Sequence, residues 1–566
     1  MRNGKGEAFF GTLFLLSVWC VIIAPALTRA QEPPSLAPVD PRFEAYQESA
    51  GMDELALGEF GLGYLPSPAF LPHLRTEEIA DPSLSSPASY DLRTYGKVTP
   101  VRNQGSCGAC WAFGTMASLE STLLTGEKRN FSENNLKNRH GYDSSCCAGG
   151  NTDMSTAYFA RWDGPAEETD DPYNENSCSS PSFVACQKHV QDVYFIPGRS
   201  SALDNEGIKQ AVMNRGAVAA SMRWEDSYYS SSNAAYCYNG SSDDTNHVIA
   251  IIGWDDNYSA SKFKSSPPGN GAFLIRNSWG TGWGNEGYFW ISYYDTVTAY
   301  YRSAVFTAEP SSNYEEAYGF DDLGYTSSLG WTGSDTGWGA NIFTAADGQS
   351  LTAVSSFFLA NNSAYTLNVY TGCSASSPKS GTLACSKTGS VAYAGYHTIT
   401  LDQPVPLSAG QKFSVVIKYT TPGYNYPVPI ERPISGYSSG ASASSGQSFY
   451  SSGGSSWTDM TTAYSGTNAC IKGFVGAGGS VDPPVVTSMA KLGSPFRIAV
   501  YGSNLQNGVT VKINGSLWTN VSWKNSGKIV LKGGLALKLL VPKNTPTAFT
   551  FTNPDGGETV VSFQWP

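Results

Sequence analysis

Two hydrophobic rhythms meet near residue 307. Before it, residues 110–124 (CWAFGTMASLESTLL) contain no proline and place Phe113, Met116, Ala117, Leu123 and Leu124 near helical spacing, with Gly126 as a stop. Residues 204–215 read as a second helix and residues 217–222 as a strand. The near-continuous apolar run at 246–255 predicts a strand buried on both faces, and residues 272–276 predict another. Between these two strands, residues 257–271 (NYSASKFKSSPPGNG) read as a hairpin insertion that lengthens a surface loop and leaves the strand register intact. After Thr307 the pattern changes to short Thr/Val/Phe/Tyr runs between Ser/Gly/Asn clusters, with strands predicted at 353–359, 365–370 and 413–419. From Val485 onward the chain is again all-β, and residues 553–557 carry a hairpin turn signal. The predicted fold is therefore multidomain: an α+β unit followed by two all-β sandwich domains.

A length of 566 residues suggests about three domains, and 41% hydrophobic with 15% charged residues makes them globular. Residues 1–30 read as a secretory signal, with Arg2 and Lys5, an apolar-rich run from Phe9 to Leu27, and small residues at the cleavage positions. No other segment has the length and apolarity to span a bilayer, so no stable membrane span is expected once the signal is removed. Residues 31–88, rich in Pro, Glu, Ala and Ser, read as a propeptide or linker. They lack a long amphipathic helix, and residues 61–68 (GLGYLPSP) are their most ordered-looking part; whether this piece lies across a cleft or merely tethers the next domain stays open at the level of sequence. A net charge of −11 argues against nucleic acid as partner. The last module departs from that balance: from Asp482 onward eight Lys/Arg face three Asp/Glu, a local +5 that leaves −16 for the rest, read here as a solvated face with scattered lysines.

The chemistry concentrates at Cys110, which opens the first helix. A thiol there feels the positive end of the helix dipole and unpaired N–H groups, which favour the thiolate. Cys107-Gly108-Ala109-Cys110-Trp111 fills the C-G-[SA]-C-[WY] pattern, and from this block the chain resembles the papain family of cysteine peptidases. The resemblance implies a papain-like α+β peptidase over residues 89–309, opened by the mature N-terminal strand Ser89-Tyr90-Asp91-Leu92-Arg93. It implies Gln104 as an oxyanion donor beside the Cys110 N–H. His247, at the mouth of the 246–255 strand, carries over as the base. Asn277, in Asn277-Ser278-Trp279-Gly280, carries over as the residue that orients the histidine, and Trp279 as its shield and a neighbour of the substrate site. Gly149 and Gly150 would line the substrate cleft, where an extended peptide can approach their backbone closely. Asn151, Thr152 and Val248 would border the principal side-chain pocket. The resemblance also pairs Cys107 with Cys147. Cys373 and Cys385 are local candidates for a bridge, and the pairing of Cys146, Cys178, Cys186, Cys237 and Cys470 stays open.

Residues 310–478 resemble the lectin-like β-sandwich that follows the peptidase in some bacterial secreted and cell-surface cysteine proteases, and residues 482–566 resemble an immunoglobulin-like module of the IPT/TIG type. Asp321 and Asp322 with other oxygen donors could hold a calcium ion, but isolated acids in turns are read as solvated; no metal or other cofactor is expected. The expected activity is that of a secreted or cell-surface bacterial cysteine-type endopeptidase acting on proteins or peptides, with the β domains available for a cell-surface glycan. Two rival readings are a thiol amidase cutting peptidoglycan peptides, and a carbohydrate-binding protein in which the peptidase is incidental.

Overall fold

The computed structural model describes residues 4, 33–49, 61–80, 86–346, 348–476, 483–506, 508–553 and 558–566. The signal segment, Gly4 aside, and residues 554–557 of the turn expected after Asn553 lie outside the described residues.

Cys110–Leu123 forms a helix buried along almost its whole length, because its residues are small or apolar on nearly every side and the buried Glu120 is paired with Arg102. It packs against strands Val218–Met222, His247–Asp255 and Ser303–Pro310. Shorter helices Glu133–Arg139 and Thr152–Ala160 flank it. Their N-caps are supplied by Ser132, which accepts from Asn135 N–H, and by Asn151, which accepts from Asp153 and Met154 N–H. The helix expected at 204–215 is present as Glu206–Asn214, and the strand expected at 272–276 as Ala272–Arg276. His247–Asp255 and Ala272–Arg276 pair antiparallel, and the insertion between them forms a loop containing a single 3-10 turn, Ala260–Lys262.

The β-rich region does not begin as a separate body. Strands Lys188–Ile196 and Gly395–Leu407 pair antiparallel, with Tyr194, Val193 and Asp192 opposite Gly395, Tyr396 and His397. This pairing fuses the peptidase strands with strands Gln349–Phe358, Ile471–Gly476 and Glu316–Tyr318 into one 13-stranded sheet. His397 Nδ1 lies 2.8 Å from Asp192 Oδ1 across the seam. A six-stranded sheet, ordered Thr382–Val391, Ser363–Thr371, Lys412–Thr420, Thr336–Thr344, Ser448–Ser451 and Thr458–Asp459, shares a core with its far end, including Leu351, Val354, Leu367, Phe413, Val415 and Ile471. Residues 483–566 build two four-stranded antiparallel sheets around their own core of Ile498, Val511, Leu531, Phe549, Phe551 and Trp565.

Cys107 is bridged to Cys147, the pairing the family resemblance implied, and Cys146 to Cys178. Cys373 and Cys385, candidates for a local bridge, are both free. Cys373 packs with Ala340, Ile342, Val416 and Phe449 on one side of the sheet, whereas Cys385 leans on the core at the other side. Asp321 is not solvated as expected; its carboxylate is buried and takes Lys472 Nζ at 2.8 Å.

Residues 33–49 and 61–80 are woven into this body. Ser35–Leu36 adds a strand to a small sheet of the β-rich region, opposite Gly330 and Leu329. The short helix Pro41–Ser49 buries Phe43 edge-on to Tyr437. His73 stacks on Tyr424.

Candidate functional site

The nucleophile candidate sits where the sequence puts it, in the first turn of the Cys110–Leu123 helix, fully buried. The backbone N–H groups of Val248, Gly63, Trp111 and Cys110 itself all favour its thiolate. Two of these belong to the helix N-terminus, one to the residue after His247, and one to the leading segment.

His247 Nε2–H donates to Asn277 Oδ1 at 2.9 Å, and the same oxygen accepts from Ser278 N–H at 2.9 Å. An amide oxygen held by a second donor fixes the imidazole plane and leaves Nδ1 as the free nitrogen. Nδ1 is buried and makes no hydrogen bond in the structure. Trp279 lies over the imidazole, ring centroids 4.8 Å apart, and is boxed in by Trp224 and Trp283. Its geometry is thus that of a cover over the His–Asn bond.

Gln104 is immobilised from three sides. Its backbone N–H donates to Ser278 O at 2.8 Å, its Oε1 accepts from Ser278 Oγ, and its carbonyl accepts from Tyr173 Oη at 2.7 Å. The amide nitrogen is thereby aimed into the groove, where it donates to Gly61 O at 2.7 Å and to Cys107 O at 2.9 Å. Ser278, which sequence reading passed over, is the residue that ties the oxyanion donor to the Asn277 loop.

Residues 61–65 cross the groove as an extended chain, which answers the question the sequence left open. Gly63 and Tyr64 N–H donate to Asn246 O at 3.1 and 3.2 Å, Leu65 N–H donates to Gly150 O at 3.0 Å, and Gly150 N–H donates to Gly63 O at 3.0 Å. The segment runs parallel to Gly150. Glycine is required where backbones meet this closely: a Cβ on Gly63 would lie 2.0 Å from Gly108 O, and one on Gly150 would lie 2.5 Å from the Trp111 indole. Beside the groove is a cavity of about 340 Å³ whose lining includes Tyr64, Asn151, Thr152 and Val248. Its lining also holds the Asp153–Arg302 ion pair, both side chains well buried, which no local sequence signal announces.

Enclosure under this segment sets the charge state of the site. Burial pushes the Cys110 thiol up to about 12 against the pull of its N–H donors. Burial likewise drives His247 down to about 4, opposed by Asn277. With the groove covered, sulfur and imidazole are both neutral near pH 7.

Comparison with known proteins agrees with this geometry. Residues 86–308 match the papain family cysteine protease family, and residues 317–475 match the lectin like domain. The senescence-specific cysteine protease SAG39 of Oryza sativa subsp. indica is 31% identical over 244 residues, covering 42% of this chain and 66% of the relative. Procathepsin L of Mus musculus is 32% identical over 216 residues, covering 37% of this chain and 61% of the relative. The chain thus spans just under two thirds of the length of these curated relatives. Among solved structures, the cysteine protease and lectin-like domains of Cwp84, a surface layer associated protein of Clostridium difficile, superpose with a TM-score of 0.67 at 25% identity. That match covers 79% of this chain and 99% of the clostridial one. The same clostridial protease after propeptide cleavage gives a TM-score of 0.61 at 26% identity, covering 69% of this chain and 99% of that one. Residues 86–308 are thus a papain family cysteine protease domain, and a lectin-like domain follows at 317–475.

Proposed function

We propose that the chain is a secreted cysteine-type endopeptidase in which Cys110 is the nucleophile, His247 the acid–base, Asn277 its orienting residue and Gln104 an oxyanion donor. The observation that carries this reading is that a peptide already lies in the groove. The Gly61 carbonyl occupies the Gln104 amide, and Gly63 packs on Gly108, two residues before Cys110, while its carbonyl accepts from Gly150 N–H. A substrate carbonyl needs two elements, a fixed donor for its oxygen and a sulfur within reach of its carbon.

In the open groove, water returns to the sulfur and the imidazole, and the burial that held both neutral is relieved. The helix N-terminus and the approaching imidazolium then favour the thiolate. Thiolate attack on the peptide carbonyl gives a tetrahedral oxyanion held by Gln104 Nε2 and the Cys110 N–H. Collapse expels the amine, protonated by His247, and leaves a thioester. His247, now neutral, takes a proton from water, whose oxygen attacks the thioester carbonyl; the acid departs and the thiolate is regenerated. Asn277 keeps the imidazole plane fixed through both proton transfers, and Trp279 keeps solvent from the bond that does so.

Residues 31–88 act as a prosegment, and turnover requires the departure of residues 61–65 from the groove. Two disulfides support an oxidising, extracytoplasmic location. The lectin-like domain is proposed to hold the enzyme at glycan-bearing surfaces. Protein freed of residues 31–88 is expected to digest casein and not muropeptides, and Cys110→Ala to abolish turnover with unchanged circular dichroism. Residual proteolysis by the purified Cys110→Ala protein would refute the assignment.

A further inference from the structure

The module at 483–566 lies beyond both matched families, and two of its features are independent of the peptidase. The first is charge. From residue 483 to residue 554 there is no Asp or Glu, while Lys491, Arg497, Lys512, Lys524, Lys528, Lys532, Lys538 and Lys543 supply eight cations. A solvated basic face usually mixes both signs; here only Asp555 and Glu558, both after the run, face eight cations, which leaves the module strongly positive.

The second is the helix Gly534–Leu540 (GLALKLL). It needs only two anchors in the module's core, Leu537 and the adjoining Val541, both fully buried. The remaining leucines point outward: Leu535 is 72% exposed, Leu539 71% and Leu540 41%. Ala536 is exposed beside them. Single exposed leucines are ordinary, but three on one two-turn helix form a patch that water does not explain. Lys532, Lys538 and Lys543, all exposed, stand before, within and after it.

We propose that this leucine ridge with its lysine border is a docking surface for an anionic lipid bilayer. The choice among anionic partners follows from the combination. A hydrated anionic polymer would pair with the lysines and leave the leucines in water. A second copy of the chain, ridge to ridge, would cover the leucines and force the lysines together. A negatively charged bilayer takes both: the leucines enter the acyl boundary while the lysine stems lie along it and place their ammonium groups among headgroup phosphates. The helix lies on the surface and does not cross it; no helix among the described residues is long and apolar enough to span a bilayer.

The test is co-sedimentation of the full chain with phosphatidylcholine vesicles, with and without phosphatidylglycerol. Binding is expected only to the vesicles containing phosphatidylglycerol, and to weaken with added salt. Leu535→Ser with Leu539→Ser, which leaves the charge unchanged, should lower the partition by at least about tenfold. Lys532→Gln with Lys538→Gln and Lys543→Gln should lower it by about a hundredfold. Peptidase activity, read on casein after removal of residues 31–88, should be unchanged in both sets. Absence of sedimentation with either vesicle overturns the proposal. So does binding that survives loss of the leucines, which would point to a purely ionic partner such as an anionic polysaccharide. A dimer of the wild-type chain in solution that the leucine substitutions dissolve would assign the ridge to self-association and overturn it as well.

Discussion

Replacing Gly63 by alanine tests whether the leading segment is what silences the site. Gly63 approaches the backbone before the nucleophile so closely that an added Cβ would lie 2.0 Å from Gly108 O and 2.3 Å from its carbonyl carbon. Neither atom can move without shifting the start of the Cys110–Leu123 helix, so the segment must rise instead. Overpacking of this kind costs about 1–3 kcal/mol. The ceiling is set by what full withdrawal forfeits. The Gly61, Gly63, Tyr64, Leu65, Gly150, Gln104 and Asn151 donors contribute about 1 kcal/mol each, so the bonds limit the effect to about 7 kcal/mol. The fraction of molecules with an open groove should therefore rise by about five- to a hundredfold. The assay is the rate at which a thiol-directed epoxide labels Cys110 in the unprocessed chain, with protein lacking residues 31–88 as the upper reference. If Gly63→Ala labels at the wild-type rate while the reference labels fast, contact with residue 63 does not gate the sulfur, and the covering argument fails.

Three other expectations can be checked with the same protein. Gln104→Ala in the processed enzyme should lower kcat by about 10²–10³ with little change in KM, since its amide meets the oxyanion and not the ground state; a pure KM effect would remove it from that role. His73, stacked on Tyr424 and donating from Nε2 to Leu359 O at 2.8 Å, is driven down to about 4 by burial, as is His247. Because the closed-state values lie below the ordinary 6.5 or so, the open state binds more protons; closure is strongest above that pH and is lost as pH falls toward 4. Epoxide labelling of the unprocessed chain, corrected for the pH dependence of the processed enzyme, should therefore accelerate on acidification, and His73→Phe should flatten the profile; an unchanged slope would exclude His73. Asp153→Asn leaves Arg302 buried without its carboxylate and should cost about 3–5 kcal/mol in urea unfolding, whereas a loss below about 1 kcal/mol would show the pair to be solvated.

What the sequence disclosed and what it hid divide along a physical line. Cys110, His247, Asn277 and Gln104 were legible as candidates because their chemistry demands particular side chains at short local spacings, and the strand at His247–Asp255 announced itself by its apolar run. The crossing of the groove by residues 61–65 was not legible, since it is made by backbone groups whose only local trace is a pair of glycines. Ser278 was overlooked because its bond to Gln104 spans 174 positions. The free state of Cys373 and Cys385 depends on which side of a sheet each side chain faces, and one residue of register decides that. The pairing of Lys188–Ile196 with Gly395–Leu407 joins segments about two hundred positions apart and leaves no periodic mark at either end.

That last pairing changes what can be cut from this protein. Severing the chain near residue 310 to obtain the β-rich half alone would strip Gly395–Leu407 of its neighbour over Gly395, Tyr396 and His397, and would uncover the opposite strand on the peptidase. Each fragment would carry a bare hydrogen-bonding edge, the template on which strands of other molecules add. Fragments made there should clump, and the smallest well-behaved unit holding the peptidase should extend through Gly476, so that thermal melting records the two halves as one transition.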